Sequence, residues 1–326
     1  MTTINWGIIG CGDVTELKSG PAFNKVPGSA LVAVMRRNAA KAADYAMRHQ
    51  VPRWYHDAAQ LIHDPEVNAI YIATPPSSHE EYALAAMNAG KPVYVEKPMA
   101  LNEDAAVRMA HYAKEKNVKL VVAHYRREWP MFKKIKELLH DKMIGEVREV
   151  KLEFNRPPLG KDELAVEKTA WRVNPAISGG GLFHDLAPHQ LDIMYWLFGE
   201  AATIGGKAIN KAALYPAADT VTGNIIFENG IFFSGHWCFC AGGSMDQCII
   251  TGSGGSIGFS FFSDTRITLT VPHKSEIFHF DALTHVQQPM IEQVVRYFSG
   301  GDANPCSGHE GAEVMRWIEV ITAGDR

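Results

Sequence analysis

The residue types best suited to acid–base chemistry stand in one run, Gly179-Gly180-Gly181-Leu182-Phe183-His184-Asp185-Leu186-Ala187-Pro188-His189-Gln190-Leu191-Asp192. Asp185 and His189 are four apart, so a helix puts both on one face, where a carboxylate can orient an imidazole and tune its proton affinity. That spacing suits a general acid/base pair. Lys97, in Glu96-Lys97-Pro98, is a second candidate. It follows the apolar run PVYVE, and a lysine after a parallel strand lies at the carboxyl edge of the sheet, where α/β enzymes place ligands. Pro98 restricts the lysine's backbone and permits a cis bond; taken alone, Lys-Pro at a strand end is also an ordinary turn. The third feature is Gly10-Cys11-Gly12, between the run INWGII and a helical stretch opened by Asp13 and Val14. A GxG turn at that junction offers backbone N–H groups and a helix dipole to a pyrophosphate. Thr15 stands where the fingerprint usually ends in Gly or Ala, which loosens the helix against its strand, and Pro21 distorts the helix further.

The elements that must carry these residues follow from periodicity. From Ile4 to about Ala123 the runs INWGII, ALVAVM, NAIYIA, PVYVE and KLVVA alternate with amphipathic stretches, the pattern of a parallel sheet with crossover helices. Ser78 with Glu81 reads as a capping box opening a helix over residues 80–88, and Gly90 as its stop. After Ala123 come a helix over 131–140, a strand over 147–154, a polar loop of about twenty residues, and a helix over 185–198. Strands then recur between Thr203 and Phe280, broken at Asn229-Gly230 and at Gly252–Gly255. Helices near 289–298 and 309–321 close the chain. The expected class is α/β: a Rossmann, doubly wound parallel sheet in residues 1–123, then an α+β domain in 124–326 with a large, mostly antiparallel open sheet, the last helices being free to pack back on the first domain.

Nicotinamide preference is read where the second strand ends. An acid there binds the ribose 2′-hydroxyl of NAD, whereas an arginine accommodates a 2′-phosphate. Leu31–Met35 runs into Arg36-Arg37-Asn38 with no acid, so NADP(H) is favoured and NAD(H) stays possible; the alternative is two solvated arginines. His184 lies off the Asp185/His189 face, and two ligands do not make a metal site, so no metal is expected. Tyr125-Arg126-Arg127 either lines a pocket or forms a linker with solvated charges. His79 either lies near the cofactor or belongs to the start of its helix.

Lys+Arg 32 against Asp+Glu 36 leaves a net charge of −4 over 326 residues, which argues against nucleic acid. No apolar stretch reaches membrane length, and the N-terminus has no basic segment ahead of its apolar run, so a cytoplasmic location follows by default. Five cysteines in a chain of this size read as packing residues without structural disulfides, and Cys238 and Cys240 face one side of a strand.

With GIIGCG, ATPPSSH at 73–79, EKP at 96–98 and GGGLFHDLAPHQLD, the chain resembles the Gfo/Idh/MocA oxidoreductases over essentially its whole length. The resemblance implies that Lys97 and His189 act at the reacting carbon, that Asp185 supports them, and that the Glu96-Lys97 turn lies beside the nicotinamide. It extends the cofactor contacts to Thr74 and Pro75, and it likens Trp171-Arg172 to that of relatives reducing sugar-like carbonyls with NADPH. Some relatives carry Tyr at the position of His189. The implied activity is reversible hydride transfer to or from a carbonyl or hydroxyl carbon of a sugar, polyol or similar polyhydroxylated molecule. The substrate-binding residues are then Lys97, Tyr125, Trp171, Arg172, Asp185 and His189. A homodimer or homotetramer through the outer face of the second sheet is implied as well. Two other classes stand beside this reading: a redox glycosidase holding NAD permanently, and a non-catalytic nucleotide sensor.

Overall fold

The computed structural model describes residues 3–301 and 303–323. The chain forms two compact units, one running to Tyr125 and including Leu283–Met315, the other made of Arg126–Ala282 and the chain from Arg316.

The first unit is built on six parallel strands, β1 (Ile4–Ile9), β2 (Ser29–Met35), β3 (Arg53–Tyr55), β4 (Ala69–Ile72), β5 (Val93–Val95) and β6 (Leu120–Val122), in the order β3-β2-β1-β4-β5-β6. The central strands are buried, which is why they read as unbroken apolar runs. Order reverses between β1 and β4, the switch point at which such sheets open a crevice at their carboxyl edge. Leu283–Met315 belongs to this unit as well. Phe298 packs on Trp6 at 5.6 Å between ring centroids, Ser307 bridges Val121, and Gly311 lies so close to Val122 and Met99 that no side chain fits there.

The second unit is an eight-stranded sheet of β7 (Val147–Asn155), β8 (Ala201–Ile209), β9 (Thr220–Phe227), β10 (Phe232–Cys238), β11 (Met245–Gly252), β12 (Ser256–Phe259), β13 (Arg266–Val271) and β14 (Lys274–His279). Its order is β14-β13-β12-β11-β7-β10-β9-β8; β7 and β10 pair in parallel, and the other pairs are antiparallel. One face is apolar and packs under the helix Leu182–Phe198: Phe183 meets Trp237 at 5.0 Å, Phe198 meets Phe227 at 5.4 Å, and Trp237 Nε1 donates to Gln190 Oε1 at 2.6 Å. Alternation puts the other residues of each strand on the open face.

Several local expectations fail for identifiable reasons. Ser78 does not cap the helix His79–Asn88; its hydroxyl donates to Thr74 Oγ1 at 2.8 Å instead. Pro21 distorts nothing, because the first helix ends at Leu17 and Pro21 lies in the first turn of a new one, Gly20–Phe23, where its missing N–H costs little. The expected polar loop after β7 is a chain of short helical turns, Lys161–Ala165, Glu167–Ala170, Trp171–Val173 and Pro175–Ser178.

Candidate active site

In the first unit the glycine turn follows β1. Gly10 has φ +94°, and a Cβ there would come within 2.7 Å of Thr74 Cγ2 and 2.9 Å of the Ala73–Thr74 backbone, so only glycine fits. Gly12 is open on its own side, with nothing nearer than 3.9 Å to a Cβ, which leaves room for a ligand to approach the backbone. Thr15 is fully buried, and its hydroxyl donates to Gly12 O at 2.8 Å. Tyr45 O–H donates to Thr15 O at 2.8 Å, binding the turn's short helix to the helix Ala39–Arg48. Arg48 adds a bidentate pair to Glu16, both contacts at 2.8 Å, which is the first reason that the Glu16 carboxyl is held down at about 2. Cys11 is buried, and burial pushes its thiol up to about 11, so it is a neutral packing group. Asp13 is exposed and Val14 half-buried.

Arg36 and Arg37 diverge. Arg36 is half-buried and Nη1 donates to Cys11 O at 3.3 Å, lying against the glycine turn. Arg37 is exposed and lines a cleft with His56, Asp57 and Tyr82.

Thr74 and Pro75 are half-buried just past β4, beside the turn. His79 is fully buried and cannot offer its ring to a cofactor. Its Nε2 lies 2.7 Å from Thr74 O and its Nδ1 3.1 Å from Pro98 O, so it ties the loop after β4 to the loop after β5. Burial holds its proton affinity down at about 4. Lys97 follows β5, half-buried, with a cis peptide to Pro98; its N–H donates to Glu96 Oε2 at 3.2 Å. Glu96 is buried with its carboxylate turned into the protein. Tyr125, also buried, is the last residue of this unit before the crossover.

In the second unit the three glycines each have a steric reason. Gly179 (φ +91°) and Gly181 (φ +86°) adopt left-handed backbone around the helix start, and a Cβ on Gly180 would collide with the His184 ring. His184 is accordingly a packing residue, and burial holds its proton affinity down at about 4. Asp185 and His189 lie one turn apart on the helix Leu182–Phe198. Arg172 Nε donates to Asp185 Oδ2 at 3.2 Å, and its guanidinium lies 4.5 Å over the Trp171 ring. His189 is mostly buried, with its ring edge-on to Phe262 at 5.8 Å. Arg126 and Arg127 are buried and do not form a solvated linker. Arg127 is buried in a bidentate pair with Asp192, with contacts of 2.7–3.0 Å, and Arg126 donates to Phe261 O at 2.5 Å while stacking on Trp129 and Phe262. Asp192 and Gln190 stand in the quoted motif, but nothing in the sequence pairs them with Arg127 and Trp237.

Among the described residues no group of three His, Cys, Asp or Glu could hold a metal ion, and no helix is long and apolar enough to cross a membrane. Among the described residues no disulfide joins any of the cysteines.

Residues 4–124 match the family described as "Oxidoreductase family, NAD-binding Rossmann fold", which puts the first unit in the class of NAD-binding oxidoreductases. Residues 132–258 match the GFO/IDH/MocA C-terminal domain, and with both halves accounted for, the chain belongs to the Gfo/Idh/MocA family of oxidoreductases. It is 48% identical over 318 residues to Oxidoreductase P35 of Formosa agariphila, covering 98% of each chain. It is 27% identical over 243 residues to the 1,5-anhydro-D-fructose reductase of Ensifer adhaerens, covering 72% of this chain and 69% of that protein. Among solved structures, levoglucosan dehydrogenase in complex with NADH has the same fold, with a TM-score of 0.87 at 22% identity over 98% of this chain and 96% of that one.

Proposed function

We propose that the protein is an NAD(P)-dependent oxidoreductase that interconverts a carbonyl and a hydroxyl group on a sugar, polyol or similar polyhydroxylated molecule, with NADP(H) preferred to NAD(H). The observation that carries this reading is the shared edge in the first unit: the open glycine turn after β1 and Lys97 after β5 both lie at the carboxyl edge of one parallel sheet, with β4 between their strands. The backbone of Gly10–Val14 would hold the pyrophosphate, Arg36 and Arg37 the 2′-phosphate, and Thr74, Pro75, Glu96 and Lys97 would flank the remainder. The nicotinamide, when bound, supplies or accepts the hydride.

The chain's own residues handle charge and protons. In the reductive direction His189 donates a proton to the developing alkoxide, Lys97 stabilises its negative charge, and Asp185 holds the imidazole in position. Arg172, paired with Asp185, and Trp171 would contact the substrate's other hydroxyls; Tyr125 completes that set. The names of the sugar-acting relatives support the substrate class, and the arginines after β2, with no acid among them, support the phosphate preference. A second copy of the chain on the open face of the eight-stranded sheet is part of the same proposal, and so is a cytoplasmic location.

The test is a fluorescence titration of cofactor-free protein with NADPH and NADH, repeated on Arg36→Asp and Arg37→Asp. NADPH should bind more tightly to the parent, and an acid at either position should erase or invert the preference. An unchanged preference in both variants removes the 2′-phosphate assignment, and tight resident NAD would turn attention to the redox glycosidase.

A further inference from the structure

Beneath the Glu96-Lys97 turn, within the first unit, lies a buried polar cluster that the proton chemistry above leaves unused. Tyr71 O–H donates to Glu96 Oε1 at 2.5 Å, Gln287 Nε2 donates to the same oxygen, and the Lys97 N–H takes the other one. Gln287 is fully buried, and its Oε1 accepts from Tyr94 O–H at 3.0 Å, which fixes the amide with its nitrogen toward Glu96. Its backbone N–H donates to Lys18 O at 3.2 Å, and His285 Nδ1 lies 2.7 Å from Leu17 O, so the same segment also grips the end of the helix behind the glycine turn. Burying a carboxylate and an amide costs free energy unless each is satisfied, and apolar side chains would fill this space at lower cost. What the polar cluster supplies instead is direction: every bond in it constrains the carboxylate that holds the Lys97 backbone.

We infer that Gln287 is a positioning residue, which orients Glu96 and through it sets the lysine at the carboxyl edge of β5. The inference rests on the proposed role of Lys97. It also gives the return of Leu283–Met315 a role at the site, because that segment supplies the amide. The titratable groups facing the cluster are Tyr71, Tyr94 and Glu96, with Tyr125 and Cys306 close to Tyr94, and Lys97 on the turn itself. Burial raises both the Tyr71 and Tyr94 hydroxyls well above the usual tyrosine range, so they remain donors across the working pH.

Gln287→Glu is the decisive variant. When protonated, the new carboxyl accepts from Tyr94 and donates to Glu96 as the amide does; when deprotonated, two carboxylates face each other. Turnover of Gln287→Glu should approach the parent's at the acid end and fall by about tenfold or more toward the alkaline end, as expected for like charges in one site. Gln287→Met should be slow at every pH, and Tyr94→Phe should lower kcat while keeping NADPH affinity. A readout that needs no turnover is the 13C signal of reductively methylated Lys97, assigned by its loss in Lys97→Arg. In Gln287→Glu that signal should shift with the same pH midpoint as kcat, and in the parent it should lack that step. Parental pH profiles and parental Lys97 signals in both Gln287→Glu and Tyr94→Phe would overturn the inference. Absence of turnover in the parent would count against the enzymatic reading alone, since the Lys97 signal still decides the positioning role.

Discussion

Lys97 and His189 are assigned different tasks, charge stabilisation and proton donation, and each contributes a separable part of the rate. Losing a proton donor or a stabiliser of developing charge costs about two to four decades. Lys97→Ala and His189→Ala should therefore each fall by that factor in kcat while still binding NADPH, measured by steady-state rates beside the titration. Wild-type turnover in Lys97→Ala would end this mechanism. The neighbouring histidines behave otherwise. Burial holds His79 and His184 at about 4, whereas the unfolded chain takes up those protons near pH 6.5. Between the two values the unfolded state binds more protons, so their contribution to stability is complete above about pH 6.5 and declines as the pH falls toward 4. A series of melting temperatures from pH 7.5 to 4.5 should decline, with a shallower slope in His184→Gln. An identical slope in that variant would show that His184 is not a source of the acid lability.

The helix Leu182–Phe198 shows why some of the site was legible and some not. Its four-residue spacing put Asp185 and His189 on one face, and the parallel strands announced themselves as apolar runs, because both signals are local. The Arg127–Asp192 pair joins positions 65 apart in sequence, and no periodicity marks which arginine will be buried against which acid. The same holds for Leu283–Met315: its amphipathic helix shows that one face must be covered, but not by which unit. A local signal also misleads where a second local partner competes for the same group, as when the Ser78 hydroxyl turns back four residues to Thr74 rather than capping its helix. The buried pair makes a sharp prediction. Removing one partner leaves an uncompensated charge in the interior, at a cost of about 3–5 kcal/mol. Asp192→Ala should lose stability on that order in urea unfolding, whereas Arg127→Met with Asp192→Leu should recover much of it. If Asp192→Ala unfolds at the parental midpoint, the pair anchors nothing.

Among the described residues the helices of its own unit pack on one face of the eight-stranded sheet, and the other face carries a mixture of apolar and charged side chains. Ile226 and Phe232 are direct cross-strand neighbours on it, at 41% and 40% exposure, and Ile209, Met245 and Ile277 share the same face by register. Between them run Glu149, Lys151, Glu153 and His236, so the surface mixes apolar side chains with charges of both signs. A net charge of −4 sets little repulsion against association. A stable interface needs roughly 1,200–2,000 Å² of buried surface, an area that an eight-stranded face can supply. The parent should sediment as a dimer or tetramer at micromolar concentration. Ile226→Asp with Phe232→Asp would put two carboxylates on the apolar part of that face, and should shift the protein to monomer without loss of NADPH binding, whose proposed residues lie in the other unit. A parent that sediments as a monomer, or a double variant that stays assembled, would remove this face as the interface.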